Sequence, residues 1–153
     1  AGTAHAQGKI GVVQIERIVR DSAPALRAQK KLEAEFSKRE AELGKVADQL
    51  KRMQDELEKD GVTMSEAQRR NKERDFNELT RDFQKRQRDY REDVNQRRNE
   101  ELSQVVEQAN RIIRQIAEQE KYDIIFQDAV YANPRIDITE RVIKALDGKP
   151  AAR

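Results

Sequence analysis

Lys59-Asp60-Gly61-Val62-Thr63-Met64 is the stretch whose reading decides the fold. Asp-Gly is a turn signal, and Thr63 followed by Glu66 has capping-box spacing, so a new helix begins there. Both flanks read as helix. From Ala25 to Lys121 there is no proline, and Gly44 and Gly61 are the two glycines. Charged residues dominate, and single apolar residues recur every three or four positions, the pattern of long helices with a narrow apolar seam. The stretch is read as an antiparallel helical hairpin with its tip near Gly61; an uninterrupted rod is the competing reading.

The first long helix is expected from about Pro24 to Asp60, with Ser22 as its cap and proline in its first turn. Phe36, Leu43, Leu50 and Leu57 recur at intervals of seven. Leu32, Val46 and Met53 fill the intermediate positions, and Arg39 breaks the series. A 3.5-residue repeat favours left-handed supercoiling. Gly44 costs roughly 1 kcal/mol relative to alanine in a helix interior. The second helix is expected from about Ser65 to Glu120. Its seam reads Phe76, Leu79, Phe83, Tyr90, Val94, Leu102, Val105, Ala109, Ile112 and Ile116, with Gln87 and Arg98 at seam positions. The seam is sparse up to Arg98 and dense from Leu102, where Val106 and Ile113 widen it. The dense half belongs to a packed body, and the sparse half projects from it.

The flanks supply that body. Lys9 to Ile15 reads as a strand, with Val12 and Val13 adjacent, so both of its faces meet apolar groups. Glu16 to Arg20 suits a helical turn. Lys121 to Gln127 is a second strand candidate and Asp128 to Ala132 a third, followed by the loop signal Asn133-Pro134. Asp137 with Glu140 starts a short helix with Val142, Ile143 and Leu146 on its apolar side, ended by Gly148 and Pro150. Two or three short strands leave open edges and bury little, so association between copies is expected, with Ile10, Val12, Val13, Ile15, Ile124, Ile125 and Phe126 as core and subunit interface. The domains are a tail at 1–8, a strand-containing body from 9–29 plus 102–148, a hairpin at 30–101, and a second tail at 149–153. Both tails are expected to be disordered. Ala4-His5-Ala6 has the small-x-small form of a signal-peptidase site, so residues 1–8 read as the end of an export signal or as an expression scar.

Charged residues make up 39% of the chain and aromatics 5%, with a net charge of +2 and no cysteine. No apolar run reaches the ~18 residues a membrane helix needs. Charge is uneven: 69–98 carries eleven basic and seven acidic residues, whereas 99–147 carries six and ten. The arm is basic and the body acidic. The acids on the arm, the few aromatics and the small total charge argue against a nucleic-acid binder. The carboxylates lie in mixed-charge helical stretches rather than apolar pockets that would shift their pKa. No phosphate-binding glycine loop or metal-ligand spacing occurs. No catalytic residue, cofactor or metal is expected, and the chain is not read as an enzyme.

Several stretches together resemble the Skp family of periplasmic chaperones, also called OmpH: Lys9 to Ile15, the charged hairpin, Arg97-Arg98-Asn99-Glu100-Glu101, Tyr122 to Phe126, Ala129 to Pro134, and Asp137 to Thr139 leading into Val142 to Leu146. The resemblance implies a mainly α fold with a small β body and a homotrimer shaped like a jellyfish. Three subunits pool their strands in a trimerisation body, and three hairpin tentacles surround a cavity. It implies an ATP-independent holdase that keeps unfolded outer-membrane β-barrel proteins soluble in the periplasm. Met53, Val62, Met64, Phe76 and Leu79 are the candidate client-binding residues; equally, Phe76, Leu79 and Met53 hold the hairpin together. The resemblance further implies contact with lipopolysaccharide, or an anionic membrane surface, through Arg97 or Arg98 and Arg86. The rival reading is a coiled-coil scaffold or spacer without client-holding activity.

Overall fold

The computed structural model describes residues 8–148, so the tail containing His5 and the segment from residue 149 lie outside it. The elements are β1 (Ile10–Val13), α1 (Ile15–Asp21), α2 (Ala23–Asp60), α3 (Glu66–Gln119), β2 (Ile124–Gln127), a 3-10 turn (Pro134–Ile136) and α4 (Thr139–Leu146). Helix α2 has 38 residues and α3 has 54, or about 57 and 81 Å at 1.5 Å per residue. The chain divides into two compact units. Among the described residues, 8–31 and 99–148 form one, and Leu32–Arg98 the other.

In the first unit β1 and β2 pair in parallel, Ile10 with Ile124 through Val13 with Gln127. A parallel pair requires a crossover, and here everything from α1 to α3 lies between the strands. A bridge from Val12 to Asp137 extends the ladder, and the Ile138 amide donates to the Val12 carbonyl at 2.9 Å. The core beneath consists of Val13, Ile18, Ala109, Ile116, Ile138, Val142 and Ile143. Ile18, Ala109 and Val142 have no exposed surface. Gly11 is required by close approach: a Cβ there would stand 2.9 Å from Cε1 of Tyr122. The Lys9 ammonium lies 4.3 Å from the centre of that same ring.

Distant parts of this unit complete one another's backbone. At the start of α2, the Ala23 amide donates to Oδ1 of Asp147 at 2.7 Å, and the Ala25 amide donates to the buried Ser22 hydroxyl at 3.4 Å. The amides of an opening helical turn lack intrahelical acceptors, and one of these finds its acceptor 124 residues away. The Gln14 amide likewise donates to the Thr139 hydroxyl at 2.9 Å.

The structure corrects three expectations. Asp128 to Ala132 is not a strand; it runs without regular structure after Asp128, whose φ is 58°. Val130 and Tyr131 in it are exposed, and no strand among the described residues stands beside them. The helix after the tip is capped by Ser65, not Thr63: the Gln68 amide donates to the Ser65 hydroxyl, and Gln68 Oε1 accepts from the Ser65 amide, a reciprocal box. Thr63 instead donates to the Asp60 carbonyl. At α4 the cap position is Ile138. Asp137 still accepts from the Thr139 amide at 2.9 Å.

In the second unit α2 and α3 run antiparallel, joined through Gly61 to Ser65. A Cβ on Gly61 would sit 2.3 Å from the Leu57 carbonyl oxygen, so the turn needs glycine there.

Candidate functional site

No group of His, Cys, Asp and Glu among the described residues could hold a metal ion. Two surfaces stand out instead: the seam of the hairpin and the uncovered strands of the body.

The hairpin seam is sparsely covered. Among the described residues between Leu32 and Arg98, Phe36 is the one buried apolar side chain. It meets Tyr90 edge-to-face, ring centres 5.9 Å apart. Arg39, an expected break in the seam, lies within it. Its guanidinium carbon is 5.9 Å from the Phe36 ring centre and 5.7 Å from that of Tyr90, and it donates to Asp93 at 2.6 Å. Cation–π contact and an ion pair make a charged side chain acceptable at a seam position. Beyond this cluster the seam stays half-buried: Leu43, Leu50, Met53, Leu57, Phe76, Leu79 and Phe83 all keep part of their surface in solvent. At the tip Met64 is half-buried and Val62 is 92% exposed. The candidate client-contact residues are therefore spread over α2 (Met53), the turn (Val62, Met64) and α3 (Phe76, Leu79), with accessible apolar surface at each.

Of the three basic candidates, Arg86 pairs with Asp82 one turn earlier at 2.9 Å. Arg97 makes two bonds to Glu35, at 3.0 and 3.1 Å. Arg98 is exposed. The structure thus gives two of the three an internal carboxylate.

In the body the strand residues separate into two sets. Val12 and Val13 are buried, whereas Ile10, Ile124 and Phe126 are 44%, 45% and 50% exposed. Ile15 and Ile125 are intermediate and pack on the core. Apolar strand residues left half-uncovered on a two-stranded sheet form the kind of patch that marks an interaction surface. In α1, which adjoins this body, the Asp21 carboxyl is held below the usual aspartate range by the hydrogen bond from Arg20.

Comparison with known proteins places this architecture. The family model for "Outer membrane protein (OmpH-like)" matches residues 9–146. The chain belongs to the OmpH-like family. Among curated proteins it is 28% identical over 142 residues to the chaperone protein Skp of Blochmanniella pennsylvanica (strain BPEN), covering 91% of this chain and 86% of that one. A solved OmpH-like structure from Caulobacter crescentus CB15 superposes with a TM-score of 0.78 at 21% identity, covering 97% of this chain and 89% of that chain. The mainly helical fold with a small sheet and long helices is thus that of OmpH-like proteins. No helix among the described residues is long and apolar enough to cross a membrane.

Proposed function

We propose that the protein is a periplasmic holdase that binds unfolded outer-membrane β-barrel proteins without ATP and keeps them from aggregating. The observation that carries this reading is the hairpin seam, which bears apolar side chains from Leu43 to Phe83 yet buries none of them fully. Weak, adaptable apolar contacts along an arm suit clients of varied sequence, and methionines such as Met53 and Met64 adjust their shape readily. Such contacts vanish once a client buries its own apolar surface. The net basic character of residues 69–98 would raise encounter rates with acidic clients. The family and the curated chaperone relative support the same reading.

In this proposal residues 9–29 and 102–148 form the trimerisation body and 30–101 the tentacle. Three copies cover Ile10, Ile124 and Phe126 by sharing strands, and three arms enclose the client. Lipopolysaccharide or an anionic membrane surface is a further ligand of the arm; since Arg86 and Arg97 already hold carboxylates, Arg98 is the basic side chain best placed to take it. If charge reversal at these three arginines leaves lipopolysaccharide binding unchanged, that ligand is removed from the proposal.

The test removes the arm's end. Deleting Val46 to Leu79 and rejoining the helices should leave the oligomer intact while the protein no longer suppresses light scattering by a diluted, urea-unfolded outer-membrane barrel. Undiminished suppression would overturn client holding by the seam and would favour a coiled-coil spacer instead.

A further inference from the structure

We propose that an alternating ladder of ion pairs sets the register of the hairpin, and so decides which residues of α2 face which residues of α3. The rungs are Lys31–Glu101 at 3.0 Å, Glu35–Arg97 at 3.0 Å and Arg39–Asp93 at 2.6 Å. On α2 they fall at 31, 35 and 39; on α3 they fall at 101, 97 and 93. Each step is four residues, up one helix and down the other. The signs alternate as well. Helix α2 reads basic, acidic, basic, and α3 reads acidic, basic, acidic.

The alternation has a specific consequence for slippage. Sliding one helix by four residues, about 6 Å or one turn, brings Glu35 opposite Glu101 and Arg39 opposite Arg97. Sliding the other way brings Lys31 opposite Arg97 and Glu35 opposite Asp93. Either slip turns attraction into repulsion. A ladder with every basic residue on one helix would tolerate the same movement.

The apolar seam alone does not specify alignment so sharply. Leu43, Leu50 and Leu57 repeat at sevens with Val46 and Met53 between, so a slip of three or four residues sets one apolar side chain where another stood. The facing seam is interrupted by Gln87 and Arg98, which weakens its preference further. Flanking charges choose orientation and register in paired helices generally, partly by penalising the wrong arrangement. Two rungs are part-exposed, with side-chain exposures of 26% and 40% for Arg97 and Glu35 and 40% and 49% for Arg39 and Asp93, while in the third Lys31 is exposed and Glu101 is buried. Single exposed pairs contribute little. Alternation lets weak pairs act together, because a slip reverses several at once. The Arg39 rung is additionally fastened by the Phe36 and Tyr90 rings.

The test reverses two rungs and leaves Arg39 and its rings intact. The chain has no cysteine, so cysteines placed at Ser37 and Asn95, both exposed, carry spin labels at defined sites of the full-length protein. Mixing with excess unlabelled protein isolates distances within one copy. Lys31→Glu with Glu35→Arg sets like charges together in the native register, while a slip places Glu at 31 opposite Arg97 and Arg at 35 opposite Asp93. The native distance population is expected to fall by about tenfold or more, replaced by one shifted by up to about 6 Å. Adding Glu101→Lys and Arg97→Glu should restore the native distance. A two-rung variant that keeps the native distribution overturns the ladder. If that variant does not fold, the four-substitution variant decides: the native distance supports the ladder, and failure to recover it overturns the ladder. Neither readout depends on client binding.

Discussion

Replacing Phe36 by alanine should loosen Leu32–Arg98 selectively. Phe36 is 8% exposed and pairs with Tyr90 at 5.9 Å. Deleting a buried phenylalanine typically costs about 3–5 kcal/mol, of which a ring pair supplies roughly 0.5–1.5 kcal/mol. A two-helix hairpin relaxes around a deletion more easily than a closed core, so about 3 kcal/mol is expected here. That raises the population of the locally opened hairpin by roughly 150-fold. Native-state hydrogen exchange measures this directly. Amides around Phe36 and Tyr90 should exchange faster by that factor, while the body amides of Asp128 and Ile138, bonded to Val13 and Val12, should be unchanged. Phe76→Ala, at a half-buried position, serves as the weaker comparison at roughly 1 kcal/mol. A Phe36→Ala effect below about 1 kcal/mol, or an equal acceleration in the body, would refute the view that the aromatic–arginine cluster secures the arm.

Substitutions at three further positions probe the frame. Gly44→Ala should stabilise the protein by about 1 kcal/mol, since nothing lies within 4 Å of the added methyl, whereas Gly61→Ala should lower Tm because its methyl would meet the Leu57 carbonyl oxygen at 2.3 Å; thermal melts followed by circular dichroism separate the two signs. Asp147→Ala should cost about 1 kcal/mol in urea unfolding through loss of the acceptor for the Ala23 amide, and Asp147→Asn, which keeps an acceptor oxygen, should cost clearly less.

The hairpin was legible because its signals are local: a proline-free run, a seam of period near 3.6, and Asp60-Gly61 at the turn. The cap was less legible because two boxes overlap in sequence. Thr63 has Glu66 three residues on, and Ser65 has Gln68; turn geometry, which turns Thr63 back toward Asp60, decides between them. The third strand was misread because strand residues such as Val130 and Tyr131 form a strand only beside a partner, and the described residues offer none there. Ile18 sits at the centre of the body core, yet a seven-residue helix carries too little periodicity to reveal which side chain turns inward, and its neighbours arrive from residues 109–143. Arg39 reads as a flaw in a one-dimensional seam; Tyr90 and Asp93, more than fifty residues on, make it a stacked and paired group. Among the candidate contact residues, Met53, Phe76 and Leu79 were readable as seam positions, but their partial burial follows only from how sparsely two helices cover one another.

The most direct test of the proposed function is native mass spectrometry of the full-length protein, alone and after addition of one urea-unfolded outer-membrane barrel. Three copies alone, and three copies with one client after mixing, is the predicted result. A monomer or dimer that leaves the client unbound would contradict both the shared body and the holdase.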